Sequence, residues 1–319
     1  MHSVGFVVFP NFHLLAFSAV TAFETANRVL EEQAYTVTLL SEAGGLVPAS
    51  PGFRVETQPF DDAVFDTLMF GSGLETNLAS PGLIAFIRRS LKTSRRIAAP
   101  CTGAFILAEA GLLDGRRATT HWRFARELQS RFPKVIVEED QIFIVDGPIW
   151  TSAGMAATID LALAMIEKDY GQDVSRKVAR RLVVYHRRTG GQPQFSALLE
   201  LEPKSDRIQK AVDYASAHLR NALSIEELAE VARLSPRQFS RAFTAETGQS
   251  PAKAVEHLRV EAARLMLEQG RHSMDVIAAE VGFADRERMR RAFLRTLGQP
   301  PQAIRRFGRA SRVPQEPAA

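Results

Sequence analysis

Cysteine is nearly missing from this 319-residue chain: Cys101 stands alone. A single thiol forbids an intramolecular disulfide and any metal site built on several thiolates, and it suits a reducing compartment. Long apolar runs are missing as well. None approaches the ~20 residues that cross a bilayer. The opening MHSVGFVVFPNF has neither the basic n-region nor the small-residue cleavage site of a secretory leader. These absences lead to the expectation of a cytoplasmic protein with no membrane partner, and nothing in the composition calls for a cofactor or a metal.

Charge is present but lopsided. Residues 1–200 carry 20 basic and 21 acidic side chains, whereas residues 201–319 carry 20 and 15. Between Arg286 and Arg312 nine arginines meet one acid, Glu287. A solvated face explains many charge runs. Clustering at one end, in arginine alone, favours a polyanionic partner.

The first two hundred residues alternate strand and helix patterns. Val4–Phe9, Tyr35–Ser41, Phe65–Phe70 and Arg95–Pro100 read as strands, and Gln141–Ser152 reads as a strand pair about a Gly-Pro turn. Helices are expected over 13–30, Pro81–Leu91, Thr102–Ala110, Ala156–Lys168 and Asp173–Arg188. Such alternation implies an α/β domain with a parallel sheet covered on both faces. Thr189–Asp206 is rich in Gly, Pro and Gln in its first half and reads as a linker or hinge. Beyond Asp206 only helices are expected, and the tail RVPQEPAA is expected to be disordered. The resulting division is 1–190, a linker at 191–205, 206–308 and a tail at 309–319.

The all-α part says the same thing twice. With a shift of fifty, nine of twenty-three positions from Ala229 to Pro251 meet an identical residue, including RAF at Arg241–Phe243 and Arg291–Phe293. Each copy reads as a short helix, a tight turn and a second helix. In the first, Ser224 and Glu227 form a capping-box pattern, Ser235 and Pro236 open the second helix, Phe239 and Phe243 face inward, and Gly248 ends it. In the second, Asp285 is the expected N-cap, Met289 and Phe293 the inner residues and Gly298 the end. Arg237, Gln238, Ser240 and Arg241 then face outward in one copy, and Arg286, Glu287, Arg290 and Arg291 in the other. Arg and Gln pair with guanine and adenine edges in the major groove, so double-stranded DNA is the expected partner.

Residues ~206–308 resemble the AraC-type DNA-binding domain, through LSIEELAEVARLSPRQFSRAF and VIAAEVGFADRERMRRAFLRTLGQPPQAIRR. The resemblance implies two helix-turn-helix units joined by a long helix, matched by Ala252–Gly270. It also implies recognition helices set in successive major grooves, ~34 Å apart. The family's GF before the recognition helix stands at Gly282–Phe283 but reads Ala232–Arg233 in the first copy.

Cys101 follows a strand and precedes a helix in RRIAAPCTGAFILAEAGLL, with small Gly103 and Ala104 beside it. That is the layout of a nucleophile elbow, where the helix dipole would lower a thiol pKa. Gly71, Ser72 and Gly73 follow another strand and can offer backbone N–H groups at the same edge, and His121 is a candidate base. Residues ~3–170 resemble the flavodoxin-like, class I glutamine amidotransferase-like superfamily in its PfpI branch. The nearer resemblance is to GlxA-type regulators, carried by FDTLMFGSG, CTGAFILAEAGLLDGRRATTHW and TSAGMAATIDLALAMIE. Catalytic relatives carry an acid in the segment after the first strand. Asn11–Phe23 contains none, and Phe17 and Ser18 fall where it would sit.

The expectation is therefore a non-enzymatic, sequence-specific transcription regulator. Gly71, Ser72, Gly73, Cys101, Thr102 and His121 would line a remodelled pocket for a small-molecule effector. By analogy within the family that effector is an amino-acid or quaternary-amine metabolite, and the regulator is a homodimer. A pocket reduced to a structural relic ranks second. Residual catalysis, as a Cys-dependent amidohydrolase or deglycase using Cys101 and His121, ranks third. A nucleoid-type binder without sequence preference is the rival on the DNA side.

Overall fold

The computed structural model describes the chain apart from residues 61–63, 74, 75, 77, 78, 185–187, 189, 191–193, 195–200, 202, 271, 298 and 311–319, and the side chains of 268, 269 and 306–310. Packing divides the chain into two compact units, Met1–Gln194 and Phe195–Ala319.

In the first unit the strands β1 (His2–Val7), β2 (Tyr35–Leu40), β5 (Thr67–Phe70), β6 (Arg96–Pro100) and β10 (Ile149–Ser152) run parallel. The full order is β3-β4-β2-β1-β5-β6-β10-β9. Two edges depart from parallel. The hairpin β3 (Ala43–Pro48) and β4 (Arg54–Pro59), which the sequence pattern did not announce, closes one side. β9 (Phe143–Asp146) pairs antiparallel with β10 about the expected Gly-Pro turn and closes the other.

Alternation along each strand sends side chains to two cores. Phe6, Val8, Met69 and Ala98 join α1 (Ser18–Leu30) and α5 (Ala157–Arg181) on one face. Val7, Leu68, Phe70, Ile97 and Ala99 join α2 (Pro81–Ser90) and α3 (Gly103–Glu109) on the other. α4 (Trp122–Arg131) also packs there through Leu128, and a small pair, β7 (Arg117–Ala118) with β8 (Ile136–Val137), lies beside it.

Two helical expectations need correction. The helix expected from residue 13 begins as a 3-10 turn at Leu14–Phe17. The two helices expected over Ala156–Lys168 and Asp173–Arg188 are present within Ala157–Arg181, separated by the non-helical backbone of Gly171 (φ 84°, ψ 169°), but the second ends at Arg181 rather than Arg188. Only glycine adopts that backbone at little cost.

At the foot of this helix Asp169, with its side chain wholly buried, binds Arg96, Arg95 and the Tyr35 hydroxyl. Burial pushes its carboxyl up, but bonds to Arg96, with Tyr35 and Arg95, outweigh that and hold it below the usual carboxylate range.

The second unit is helical: α6 (Asp206–Ala217), α7 (Ile225–Val231), α8 (Pro236–Thr247), α9 (Pro251–Gln269), α10 (Met274–Glu280), α11 (Arg286–Leu297) and α12 (Pro301–Ala310). α9 serves two cores in turn. Ala254, Val255 and Leu258 pack with Phe239 and Phe243, while Val260, Ala263 and Leu267 pack with Met289 and Phe293.

The duplication is real but its register slips. α8 and α11 superpose with a shift of fifty, α7 and α10 with forty-nine. Leu228, Ala229 and Ala232 therefore correspond to Ile277, Ala278 and Val281 as buried residues. The matched Ala-Glu-Val triplets at 229–231 and 279–281 are out of structural phase. The second turn holds the extra residue.

Of the expected linker, only Gln194, Leu201 and residues 203–205 lie among the described residues. Gly298 and the end of the tail lie outside them.

Candidate DNA interface and candidate ligand site

Helix caps fix the two outward-facing helices. Ser235 accepts from the N–H of Gln238, and Gln238 Oε1 accepts from the N–H of Ser235 at 3.2 Å, a complete capping box with Pro236 at the first position. Asp285 Oδ1 accepts the Arg288 N–H at 2.6 Å at the head of α11. The box expected at Ser224 is only half formed. Ser224 accepts from the Glu227 N–H, but the Glu227 carboxylate accepts instead from the Tyr214 hydroxyl at 2.8 Å.

Both turns end their first helix with the same bonds, Leu234 N–H to Ala229 O and Phe283 N–H to Ala278 O. The left-handed residue in them is Arg233 (φ 54°) in one copy and Gly282 (φ 81°) in the other. The counterpart of Gly282–Phe283 is thus Arg233–Leu234, not Ala232–Arg233.

On α8, Arg237, Gln238 and Arg241 are exposed and Ser240 is half-buried. Arg237 and Arg241 make no hydrogen bond or ion pair among the described residues, whereas the Gln238 carbonyl is committed to its cap. On α11, Arg286, Glu287 and Arg291 are exposed and Arg290 is half-buried. Glu287 and Arg290 bind each other through two contacts of 2.8 and 2.9 Å. The Arg290 hydrogen bonds hold the Glu287 carboxyl below its usual value. The first helix therefore offers free guanidinium groups and the second a preformed acid–base pair.

In the first unit the Cys101 turn has the strained backbone of an elbow, with φ 52°. Its chemistry is different. Cys101 is 5% exposed, and burial pushes its thiol up to about 11. Loss of solvation outweighs the Thr102 backbone hydrogen bond that would lower it, against the expectation of an activated thiol. Gly154 covers it so closely that a Cβ there would lie 2.2 Å from Cys101 Cβ.

No hydrogen bond joins His121 to Cys101. His121 caps α4, its Nδ1 accepting from the Arg123 N–H at 3.3 Å, and burial followed by the charge of Arg123 lowers its pKa. Nor are the Gly71 and Gly73 N–H groups free for a ligand. They donate to Val7 O at 2.7 Å and to Thr102 Oγ1 at 2.9 Å, and Ser72 O accepts from His13 N–H. Ser18 has a buried Oγ without a partner among the described residues.

A cavity of about 370 Å³ opens at the carboxyl ends of β1 and β2, beside the N-termini of α2 and α3. Val7, Phe9, Phe60, Leu83 and Ile106 give it apolar walls, and Asn11, Ser41, Ser80 and Thr102 give it polar points. Among the described residues Glu42 is the one charged residue lining it, held by a 2.5 Å bond from the Ser80 hydroxyl. Of the six residues expected from sequence, Thr102 alone lines this cavity. Cys101 precedes Thr102, Gly73 is hydrogen-bonded to it with Gly71 and Ser72 just before, and His121 stands apart as the cap of α4. Glu42, Asn11 and Phe60 were missed because they follow strands whose ends the sequence did not mark as functional.

Comparison with known proteins follows the same division. Residues 14–168 match the DJ-1/PfpI family and residues 228–306 a helix-turn-helix domain. The chain is 32% identical over 285 residues to the HTH-type transcriptional regulator CdhR of Pseudomonas aeruginosa, covering 87% of this chain and 84% of that one. It is 28% identical over 309 residues to the HTH-type transcriptional regulator GlxA of Rhizobium meliloti, covering 95% of both. An isonitrile hydratase of Pseudomonas putida is 28% identical over 185 residues, 56% of this chain and 77% of the hydratase. The crystal structure of an AraC family transcriptional regulator from Pseudomonas putida shares the first unit's fold, with a TM-score of 0.53 and 24% identity over 57% of this chain and all of its own.

Proposed function

Because the chain belongs to the family of HTH-type transcriptional regulators that join a DJ-1/PfpI domain to an AraC-type helix-turn-helix domain, we propose that a small molecule held in the first unit governs its binding to specific DNA sites. The cavity beside Thr102 carries this reading, since its volume suits a metabolite and its polar points are few and convergent. Aromatic walls and the carboxylate of Glu42 favour an effector with a cationic group, such as an amino acid or a quaternary amine. Cys101, Gly71, Ser72 and Gly73 support the cavity's frame, while Thr102 meets the ligand.

On the DNA side, Arg237, Ser240, Arg241, Arg286, Arg290 and Arg291 contact bases or phosphates. Gln238 is held as a cap, and its free amide nitrogen is what remains for DNA. Glu287, poised by Arg290, can accept from a cytosine amino group. The protein acts in the cytoplasm as a homodimer on paired half-sites. No catalysis is assigned to Cys101, because burial raises its thiol to about 11 and no hydrogen bond joins it to His121. No described helix is long and apolar enough to cross a membrane.

Footprinting of the full chain on its own upstream intergenic DNA at two salt concentrations tests the reading. A discrete protected site spanning two adjacent major-groove contacts is expected. Diffuse binding that salt abolishes would refute sequence-specific recognition, since phosphate contacts alone carry no sequence information.

A further inference from the structure

Gln194 is the last residue of the first unit, and its amide is fully engaged. The side-chain nitrogen lies 2.7 Å from Thr120 O and 2.9 Å from Glu139 O, with Gln141 O and Thr119 Oγ1 farther off at 3.3 and 3.4 Å. The side-chain oxygen accepts the Trp122 N–H at 2.8 Å, and the Gln194 N–H donates to Asp140 Oδ1 at 3.1 Å. Only a carboxamide fits this socket, because it needs a double donor on one side and an acceptor on the other.

The socket adjoins the Cys101 turn. Thr120 gives its carbonyl to Gln194 while its hydroxyl donates to Cys101 O at 2.7 Å. Thr102, the next residue, lines the cavity and is bonded in both directions to Gly73. A continuous run of hydrogen bonds and one peptide link therefore joins the cavity wall to Gln194.

What Gln194 restrains is the start of the second unit. Leu201, seven peptide steps on, is 1% exposed in that unit's core. Seven steps reach at most about 25 Å. Were Gln194 free, the nearest earlier hydrogen-bonded residue among the described ones would be Arg188, whose N–H and guanidinium bind the carboxylate of Asp160. The reach to Leu201 would then rise to roughly 45 Å.

We propose that Gln194 is a positioning residue, a latch through which occupancy of the cavity beside Thr102 alters the freedom of the DNA-binding unit. This rests on the effector reading given under the proposed function. A ligand pressing on Thr102 displaces the Cys101 turn, shifts Thr120 and loosens or tightens the grip on Gln194. The restraint on the second unit changes with it.

The test uses the full chain in three variants. Gln194→Ala empties the socket, and Gln194→Glu sets a carboxylate against the carbonyls of Thr120, Glu139 and Gln141. Asn27→Ala is the control, since Asn27 clamps both backbone groups of Tyr35 at 2.7 and 2.8 Å in the same unit, far along the chain from this socket. Hydrogen exchange at the Trp122 amide reports the latch, and affinity for the footprinted DNA reports its effect. Faster Trp122 exchange and an affinity changed at least fivefold in both Gln194 variants, with Asn27→Ala within twofold of wild type, is the expected result. Unchanged affinity despite faster exchange overturns the proposal, as does unchanged exchange or an equal effect from Asn27→Ala. A wild-type chain that protects no discrete site would sink the regulator reading itself, and this inference with it.

Discussion

Alkylation of Cys101 separates a sensing domain from a working enzyme. The structure sets the expected rate. At pH 8 a thiol with an ordinary pKa of about 8.5 is about one-quarter thiolate, whereas one held near 11 is about one-thousandth thiolate. Native Cys101 should therefore react with iodoacetamide about 200-fold more slowly than the same residue in the chain unfolded in urea. Its 5% exposure slows it further. Intact-mass kinetics from pH 6 to 11 would follow both states, with the unfolded chain as its own reference.

The native rate should keep rising past pH 10 without a plateau. His121→Ala should leave it within about twofold, because no hydrogen bond links the two side chains. Stability should move in the matching direction. A folded value above the unfolded one makes this group's contribution full below about pH 8.5 and lost as pH rises through about 11. A plateau with a midpoint at or below pH 8, or a native rate within tenfold of the unfolded chain's at that pH, would refute the argument and revive the hydrolase reading.

Three further outcomes are expected. Arg286→Ala should relax discrimination at one base-pair position by about 1–3 kcal/mol; uniform weakening across all site variants in a binding titration would show that it contacts phosphate only. Gly282→Ala should destabilise the second unit by more than the ~1–2 kcal/mol of left-handed backbone, because its Cβ would lie 1.9 Å from Leu219 O, the oxygen that also accepts from Arg259. Arg233→Gly, at the equivalent turn, should be neutral or mildly stabilising in thermal melts. Asp169→Asn should cost about 3–5 kcal/mol by leaving buried Arg96 unpaired. In wild type the Asp169 contribution is present above the unfolded carboxylate value of about 3.9 and lost as pH falls through its lower folded value. Acid melts of the variant should lack that share of the loss.

The alternation of strands and helices in the first unit was legible because parallel strands buried on both faces are short apolar runs between turn residues. The β3–β4 hairpin was not. Ala43–Pro48 contains two glycines and buries Val47 alone, so it has no apolar alternation to find. The α8 and α11 faces were legible because Phe239, Phe243, Met289 and Phe293 keep helical spacing. The register slip between copies was hidden by three chance identities, and only the buried set exposes it. The partners of Gln238 and Glu287 were also out of reach, since local side-chain bonding is decided by rotamers rather than by spacing.

The Cys101 turn shows why a site can look catalytic in sequence and serve another purpose in the fold. A strained backbone at the end of a parallel strand persists only where its surroundings over-determine it. Here they do. Cys101 N–H donates to Ser152 O on β10, Cys101 O accepts from Thr120, and Thr102 holds Gly73 after β5. One turn thus joins three segments, the end of β10, the residues before α4 and the turn after β5, and small Gly103 and Gly154 let them approach. Removing a nucleophile's base and acid leaves every one of these bonds intact. The small-residue pattern around a cysteine therefore reports the turn's geometry, while reactivity depends on solvation and on a neighbouring base, which the pattern does not encode.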